Sequence, residues 1–330
     1  MTTKEEVLAS LDAKTLKRLQ VASDVKVRLL ETPSIGLNIA LGGGIGHGRQ
    51  TLIWGNKSAG KSSIALQIIA MAQKEGKSCA WLDAEQSYDP SWAARMGVNS
   101  SDVIYSATKS IAHAANYGVE LIQGGLDVLV LDSISSVLST SYFNEEEMKD
   151  FEKTGQIGSQ ARDLGKLSNM WNGVNEDTAI IMISQQRNKI SPTYTQLAPM
   201  GGEAIKFNSS TVIKLFSTES DAKALMDDVA VGDKIYKEKV GRPVNWEIEY
   251  NKLGPMGLTG KYDFYFRGPN VGIDFAGETV ELAEKYGIIK KSGGWYKYDD
   301  KSYYLKDLAD LIRNDESARQ KLLEAIRVYL

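Results

Sequence analysis

Residues Gly55 to Ser62 read G-N-K-S-A-G-K-S and directly follow the apolar run Thr51-Leu52-Ile53-Trp54. This is the pattern G-x-x-x-x-G-K-[ST], in which a strand gives way to a helix around a phosphate-binding loop (the P-loop). Its glycines allow a tight turn, so that successive backbone N–H groups surround a polyphosphate at the N-terminus of the next helix. A glycine-rich turn before an ordinary helix is the alternative. The helix formers at 64–72 carry an apolar face suited to packing on a sheet, and this context favours the P-loop.

The loop predicts a site for ATP and Mg²⁺. Lys61 is expected to reach the terminal phosphates, and Ser62 is expected to hold the metal ion. The predicted nucleotide-binding residues of this segment are Gly55, Asn56, Lys57, Ser58, Ala59, Gly60, Lys61, Ser62 and Ser63.

Composition sets the class of protein. The chain has 330 residues and 42% hydrophobic content, enough for one large domain with one or two satellites. Its formal charge is −3, so nucleic acid can be bound only through a local basic surface. Cys79 is the only cysteine and there are two histidines, which excludes an intramolecular disulfide and a Cys/His zinc cluster. No signal peptide and no apolar run of about 18 residues is present, so we expect a cytoplasmic protein without membrane contact.

Apolar strand-like runs alternate with helical stretches along the chain. The runs are residues 78–82, 103–105, 128–131, 179–183 and 212–216. Because these runs are apolar on both faces, they predict an α/β fold with a mainly parallel sheet that is covered by helices on both sides.

Acidic residues follow two of these runs. Ligands of an open α/β sheet lie at the carboxyl ends of its strands, where Glu85 and Asp132 would meet the P-loop. An apolar run that ends in Asp132 is typical of a Walker B element, whose aspartate holds Mg²⁺. The alternative for Asp132 is an N-cap of the following helix. Glu85 is either a surface acid or the base that orients water against the γ-phosphate.

Two long polar stretches, residues 141–158 and 185–202, interrupt the sheet pattern. Loops of this length in a compact core are usually functional or disordered. The second stretch carries Arg187 and Lys189 with two prolines and a glycine pair, as expected of a mobile binding loop. It begins at the end of a strand that faces the nucleotide, so Gln185 is expected to touch the γ-phosphate and to set the order of the loop.

The ends of the chain differ from its centre. Residues 3–20 predict a helix and residues 25–29 a strand, which either pack on the core or dock on a neighbouring subunit. The last part shifts to short elements typical of a small α+β domain. We therefore expect an N-terminal element over 1–30, an ATPase core over 31–266 and a C-terminal domain over 267–330.

The chain resembles the RecA family of homologous recombinases over nearly its full length. The matching pieces, in order, are the P-loop 55–62, Trp81-Leu82-Asp83-Ala84-Glu85 with Asp89-Pro90, Asp132-Ser133, Ser184-Gln185-Gln186-Arg187, Gly201-Gly202-Glu203-Ala204-Ile205-Lys206-Phe207 and Gly293-Gly294-Trp295-Tyr296. A P-loop alone is shared by many ATPases, whereas this ordered set is specific.

The resemblance implies roles for single residues. Glu85 would activate the hydrolytic water and Gln185 would sense the γ-phosphate. Asp89 would contact the nucleotide, and Trp92 would take the place of the tyrosine that stacks on adenine. The family works as a helical filament on single-stranded DNA, which it pairs with double-stranded DNA, and holds ATP between neighbouring subunits.

The resemblance also identifies DNA contacts. The two polar stretches would be the DNA-binding loops, in which Arg162 and Arg187 match basic positions. Lys189 and Lys206 complete the predicted set.

The chain departs from the family at the subunit boundary. Bacterial members carry two lysines that reach ATP from the adjacent subunit. Here the second of these lysines is present as Lys252, whereas Tyr250 occupies the position of the first. A short, divergent N-terminus and the lack of an acidic tail resemble phage-encoded members.

The sequence therefore predicts a DNA-dependent ATPase that promotes homologous pairing and strand exchange. A hexameric helicase or motor on the same core is the alternative, and a P-loop kinase or switch ATPase is the third. The segment Gly293-Gly294-Trp295-Tyr296 and the stretch after Gln185 favour the recombinase. No arginine-rich lid of a kinase is found.

Overall fold

The computed structural model describes the whole chain except residues 1, 17–18, 20–21, 25, 140–158, 191–194, 218–223, 232–233 and 330. The helices are α1 (Lys4–Ala9), α2 (Ala13–Leu16), α3 (Ile35–Leu41), α4 (Lys61–Lys74), α5 (Pro90–Arg95), α6 (Ile111–Gln123), α7 (Ser159–Val174), α8 (Glu203–Asn208), α9 (Phe275–Lys285), α10 (Leu305–Asn314) and α11 (Glu316–Arg327).

The strands of the first half are β1 (Leu29–Leu30), β2 (Ile45–Gly46), β3 (Gln50–Gly55), β4 (Cys79–Asp83), β5 (Val103–Ser106), β6 (Val128–Asp132) and β7 (Ala179–Ile190). Those of the second half are β8 (Thr195–Pro199), β9 (Thr211–Phe216), β10 (Leu225–Val231), β11 (Lys234–Asn251), β12 (Thr259–Tyr265), β13 (Gly272–Ile273), β14 (Lys290–Ser292), β15 (Trp295–Tyr298) and β16 (Lys301–Tyr303). No described helix is long and apolar enough to cross a membrane.

One large sheet organises the molecule, with strand order β13-β12-β11-β9-β3-β7-β6-β4-β5. The six strands from β9 to β5 are parallel, which confirms the predicted mainly parallel sheet. Strands β11, β12 and β13 extend it antiparallel. The P-loop strand β3 lies between β7 and β9, at the centre of the sheet.

Both faces of the sheet are covered, as predicted. Neighbouring side chains on a strand point to opposite faces. Accordingly Ile53 packs with Ile68 of α4 on one face, whereas Leu52 packs with Trp171 of α7 on the other. Burial on both sides explains why these strands are apolar throughout.

A third apolar cluster lies in the C-terminal part, around the three-stranded sheet β14-β15-β16 and helices α9 to α11. It includes Ile35 of α3. The carboxylate of Glu278, on α9, accepts hydrogen bonds from the hydroxyl of Ser34 at 2.7 Å and from the backbone N–H groups of Ile35 at 3.0 Å and Gly36 at 3.1 Å. This buried carboxylate joins α9 to the start of α3. The domain boundaries at 30/31 and 266/267 stay predictions.

The N-terminal prediction is wrong in two respects. Residues 3–20 do not form one helix, because Asp12 caps α2 by accepting a hydrogen bond from the N–H of Thr15 at 2.9 Å. The strand is limited to Leu29–Leu30, which pairs with β2. Helix α1 has no buried residue and Val7 is 49% exposed. This helix therefore does not pack into the core of its own chain.

The second polar stretch also contains more strand than expected. Strand β7 continues to Ile190, and β8 pairs with it antiparallel from Gln186↔Pro199 to Ile190↔Thr195. The prediction of a loop is therefore wrong for these paired residues, because a row of polar side chains hides a strand from a hydrophobicity pattern. The mobility of the stretch stays a prediction. The first stretch, 141–158, lies outside the described residues.

Candidate nucleotide-binding site

The P-loop connects β3 to α4 as predicted. A Cβ atom at Gly55 would lie 1.7 Å from the carbonyl oxygen of Leu215 on β9, so only glycine lets the two strands approach here. Gly60 caps α4 with φ +84°, a left-handed conformation that glycine adopts without strain. These two glycines fix the conformation of a loop that, at the N-terminus of a helix, is suited to a phosphate.

Lys61 is buried at the first position of α4. Its Nζ donates to the carbonyl oxygens of Asn56 at 2.8 Å and Gly55 at 3.2 Å. Burial lowers the pKa of Lys61, whereas the charges of Asp132 and Glu85 raise it. The ammonium group is thus held over its own loop with two carboxylates nearby.

The other loop residues divide between anchoring and exposure. The side-chain amide of Asn56 donates to the carbonyl of Ser217 at 2.8 Å and accepts from its N–H at 3.2 Å, which ties the loop to the end of β9. Lys57 and Ser58 are exposed, whereas Ala59 is buried. The half-buried Ser62 and Ser63 follow Lys61 in the first turn of α4. Sequence reasoning did not find the anchoring role of Asn56, because Ser217 is 161 residues away.

Asp132 lies buried at the end of β6, beside Asp83 of β4. One of its oxygens receives a hydrogen bond from Ser62, whereas Oδ2 has no hydrogen-bond partner. Burial raises the pKa of Asp132 to about 7, and the bond from Ser62 opposes this shift. A hydroxyl beside an unpartnered carboxylate oxygen fits Mg²⁺, which takes few protein ligands and completes its shell with phosphate oxygens and water. Residues 133–136 form a turn, so the alternative role of Asp132 as a helix N-cap is wrong.

Glu85 and Gln185 are in direct contact at the same edge of the sheet. Nε2 of Gln185 donates to Oε1 of Glu85 at 2.8 Å. Gln185 is also the last residue of β7 that pairs with β3, opposite Gly55. The structure thus brings together the P-loop, Asp132, Glu85 and Gln185, which the sequence predicted separately.

Three serines of the turn after β6 complete this arrangement. Ser133 Oγ donates to Glu85 Oε1 at 2.7 Å, and Ser136 Oγ approaches the same oxygen at 3.4 Å. Ser135 Oγ accepts the backbone N–H of Gln185 at 2.8 Å. Sequence reasoning gave these residues no role. The available signal was three serines within four residues, directly after a buried strand.

Asp89 and Trp92, which were predicted to contact the nucleotide, have intramolecular partners. Asp89 caps α5 by accepting from the N–H of Ser91 at 2.9 Å. Trp92 is half-buried against the core, and the guanidinium of Arg95 lies 5.2 Å from its ring centre. Their roles in nucleotide binding stay predictions.

Lys252 is an exposed residue that follows β11. Its Nζ lies 6.0 Å from the ring centre of Tyr250, and its backbone N–H donates to the carbonyl of Ser210 at 2.8 Å. Its contact with a nucleotide across a subunit boundary stays a prediction.

The predicted DNA-binding residues lie near the site. Arg162 is exposed on the first turn of α7, and Arg187 is exposed on β7 two residues beyond Gln185. The chain after β8 joins the two regions: Met200 N–H donates to the carbonyl of Gln185 at 3.0 Å, and a Cβ atom at Gly202 would lie 3.0 Å from that of Ala161 on α7. Lys189 lies further along β7, opposite Gln196.

Lys206 differs from the other predicted DNA contacts. Its Nζ forms an ion pair with Glu249 at 3.2 Å and lies 5.3 Å from the ring centre of Trp54. Binding a DNA phosphate would require this ammonium to leave or share its carboxylate, and its role stays a prediction.

The fold and the site define a P-loop protein with an α/β sheet. Residues 5–253 match the sequence model of the RecA N-terminal domain. Protein RecA of Rickettsia bellii (strain RML369-C) is 33% identical over 288 residues, which cover 86% of this chain and 79% of the relative. Protein RecA of Chlorobaculum tepidum is 30% identical over 311 residues, with 92% and 84% covered. Protein RecA of Rhodospirillum rubrum is 33% identical over 289 residues, with 86% and 74% covered. The chain belongs to the RecA family of recombinases, which confirms the resemblance inferred from its motifs.

Proposed function

We propose that the protein is an ATP-dependent recombinase that assembles on single-stranded DNA and pairs it with a homologous duplex, with DNA-dependent hydrolysis of ATP to ADP and phosphate. The hydrogen bond from Gln185 to Glu85 carries this proposal. It joins the proposed hydrolytic base to the strand that continues into the proposed DNA-binding hairpin.

In this function the P-loop residues bind the phosphates of ATP. Lys61 neutralises charge on the β- and γ-phosphates, and Ser62 and Asp132 hold Mg²⁺. The metal ion supplies Lewis-acid stabilisation of the charge on the phosphate oxygens. Glu85 accepts the proton of the attacking water. The lack of a hydrogen-bond partner at Asp132 Oδ2 supports the metal role.

DNA binding rests on a local basic surface of α7 and the β7–β8 hairpin. Arg162 and Arg187 are exposed there, and the chain as a whole has a charge of −3. The binding energy must therefore come from this surface and fall with salt, because phosphate contacts release counterions. Lys189 and Lys206 are proposed as further contacts.

Self-association is supported by apolar side chains outside the core. Val7, Leu16 and Leu19 are 49%, 39% and 49% exposed, and Phe207 on α8 is 75% exposed. A leading helix with no buried residue suits docking on a neighbouring subunit, one of the two roles left open by the sequence. In a filament built this way, Lys252 would reach the nucleotide of its neighbour.

Electron microscopy with ATP and single-stranded DNA tests the proposal. Open filaments are expected, whereas closed rings would indicate the hexameric motor instead. ATP hydrolysis is measured in parallel with and without single-stranded DNA. Hydrolysis that DNA does not stimulate would favour a switch ATPase and contradict the recombinase.

A further inference from the structure

The carboxylate of Glu85 is bound asymmetrically. Among the described residues, all hydrogen-bond donors that reach this side chain end on Oε1: Ser133 Oγ at 2.7 Å, Gln185 Nε2 at 2.8 Å and Ser136 Oγ at 3.4 Å. Oε1 is therefore the anchored oxygen. Oε2 is left to accept a proton.

The donors on Oε1 differ in how firmly they are fixed. Ser133 is fully buried, and the next residue is pinned to the sheet because Ile134 N–H donates to the carbonyl of Ile183 at 2.9 Å. Gln185, in contrast, has an exposed side chain with several rotatable bonds. Ser133 is thus a permanent donor, whereas the amide of Gln185 can turn to another acceptor.

We propose that Ser133, assisted by Ser136, is a positioning residue for Glu85. The two hydroxyls hold Oε1 when Gln185 turns towards a nucleotide, so that Oε2 keeps its direction. Oε2 then accepts the proton of the water whose oxygen bonds to the γ-phosphorus, while the bridging oxygen leaves with ADP. This inference rests on the proposed role of Glu85 as the base.

The position of the base affects the chemical step more than binding of ATP. A misdirected carboxylate does not weaken the binding of the phosphates, but it accepts the proton less efficiently. If the hydrogen bond of Ser133 is only structural, its loss would instead affect folding, without a selective effect on turnover. The two roles therefore differ in kcat, KM and thermal stability.

The experiment compares Ser133→Ala with Ser168→Ala in the full-length chain, in the presence of ATP, Mg²⁺ and single-stranded DNA. Ser168, on α7, is a matched control. It is also fully buried, and its hydroxyl donates to Gln50 Oε1 at 2.9 Å. Ser133→Ala is expected to lower kcat about tenfold, the effect of one hydrogen bond to a charged group, with an unchanged KM for ATP. Ser168→Ala is expected to keep kcat. An unchanged kcat in Ser133→Ala, or an equal loss in both variants, overturns the inference.

A double-mutant cycle separates this inference from the proposed function. If Ser133 acts through Glu85, Ser133→Ala causes no further loss of kcat in a Glu85→Gln background. A full additional tenfold loss overturns the positioning role. Normal hydrolysis in Glu85→Gln alone refutes the base itself, whereas a defective Glu85→Gln with a normal Ser133→Ala refutes only the inference.

Thermal melting checks that each variant is folded. If Ser133→Ala does not fold, Ser136→Ala replaces it, since its hydroxyl reaches the same oxygen from 3.4 Å. A smaller loss of kcat is expected there, again with unchanged KM. An unchanged kcat in that variant overturns the proposal that both hydroxyls anchor Oε1.

Discussion

Nε2 of Gln185 donates a hydrogen bond to Oε1 of Glu85 across 2.8 Å, although 100 residues separate the two in the chain. Glu85 follows β4, whereas Gln185 lies within β7, and β6 runs between these strands. If the side-chain amide of Gln185 turns to the γ-phosphate, it must share or break its hydrogen bond to Glu85. Arrival of ATP would therefore change the surroundings of the base and the hairpin at once.

Replacing Glu85 by Gln tests the proposed base. The amide keeps the shape of the site but cannot accept the proton, so we expect turnover to fall by ~10²–10⁴. Nucleotide and DNA should still bind. Steady-state hydrolysis and filter binding of DNA measure the two effects, and hydrolysis at the normal rate would show that Glu85 is not the base.

Replacing Lys61 by Ala removes the ammonium that we propose neutralises charge on the β- and γ-phosphates. We expect hydrolysis to be abolished. The matched control is Lys74→Ala, at the exposed C-terminal end of the same helix, which should hydrolyse ATP normally. Equal rates in the two variants would contradict the role assigned to Lys61.

Replacing Gln185 by Ala tests the link between ATP and DNA. A ligand shifts an equilibrium only through its different affinity for the two states, and the shift is reciprocal. ATP and DNA should therefore tighten each other's binding by the same factor, ~5–150 for a coupling of the usual size.

The measurement is a DNA titration with a non-hydrolysable ATP analogue, with ADP and without nucleotide. We expect Gln185→Ala to bind nucleotide normally but to show one DNA affinity in all three conditions. If the differences persist in the variant, Gln185 does not carry the coupling.

Replacing Arg187 by Ala tests the DNA surface. Because a phosphate contact positions the strand without reading bases, affinity should fall alike for all sequences, and the dependence of log affinity on log salt should become shallower. Lys77→Ala is the control. Lys77 precedes the amino end of β4, whereas Arg187 lies beyond the carboxyl ends of the parallel strands. An unchanged slope and affinity would remove Arg187 from the site.

Replacing Glu278 by Gln tests the contact between α9 and α3. Burial raises the pKa of Glu278 from 4.5 to about 7, with the charge of Glu281 adding to the rise and the bonds from Ser34, Ile35 and Gly36 opposing it. The folded chain thus holds a proton that the unfolded chain releases near its ordinary pKa. This contribution to the free energy of unfolding is fully present below about pH 4.5 and is lost as the pH rises through about 7.

Urea unfolding at pH 5 and pH 8 measures this effect. Glu278→Gln does not titrate, so its free energy of unfolding should fall less between the two pH values than that of the unsubstituted chain. The exposed neighbour Glu281 gives the control variant Glu281→Gln, which should keep most of the dependence. An identical fall in Glu278→Gln would exclude Glu278 as its source.

Local motifs predicted the centre of the site. The P-loop, Asp132 at the end of β6 and Glu85 after β4 each lie at the carboxyl end of a buried apolar strand, and the geometry of a parallel sheet collects such residues at one edge. The partners that fix them lie far along the chain. Neither the bonds between Asn56 and Ser217 nor the contact between Gln185 and Glu85 leaves a periodic pattern in the sequence. The β7–β8 hairpin was missed for a related reason, because the sequence turns polar after Ser184 and no apolar run marks the continuation of β7.

Strand β7 runs without a break from the buried residues beside the P-loop to Ile190. No turn separates Gln185 from Arg187. The hairpin therefore continues the central sheet as an arm, which extends about 17 Å beyond Gln185 at the usual rise of a strand. A small rotation of the backbone at its base becomes a larger displacement at its far end. In the proposed function, a chemical event on one phosphate would in this way be delivered to DNA as a mechanical stroke.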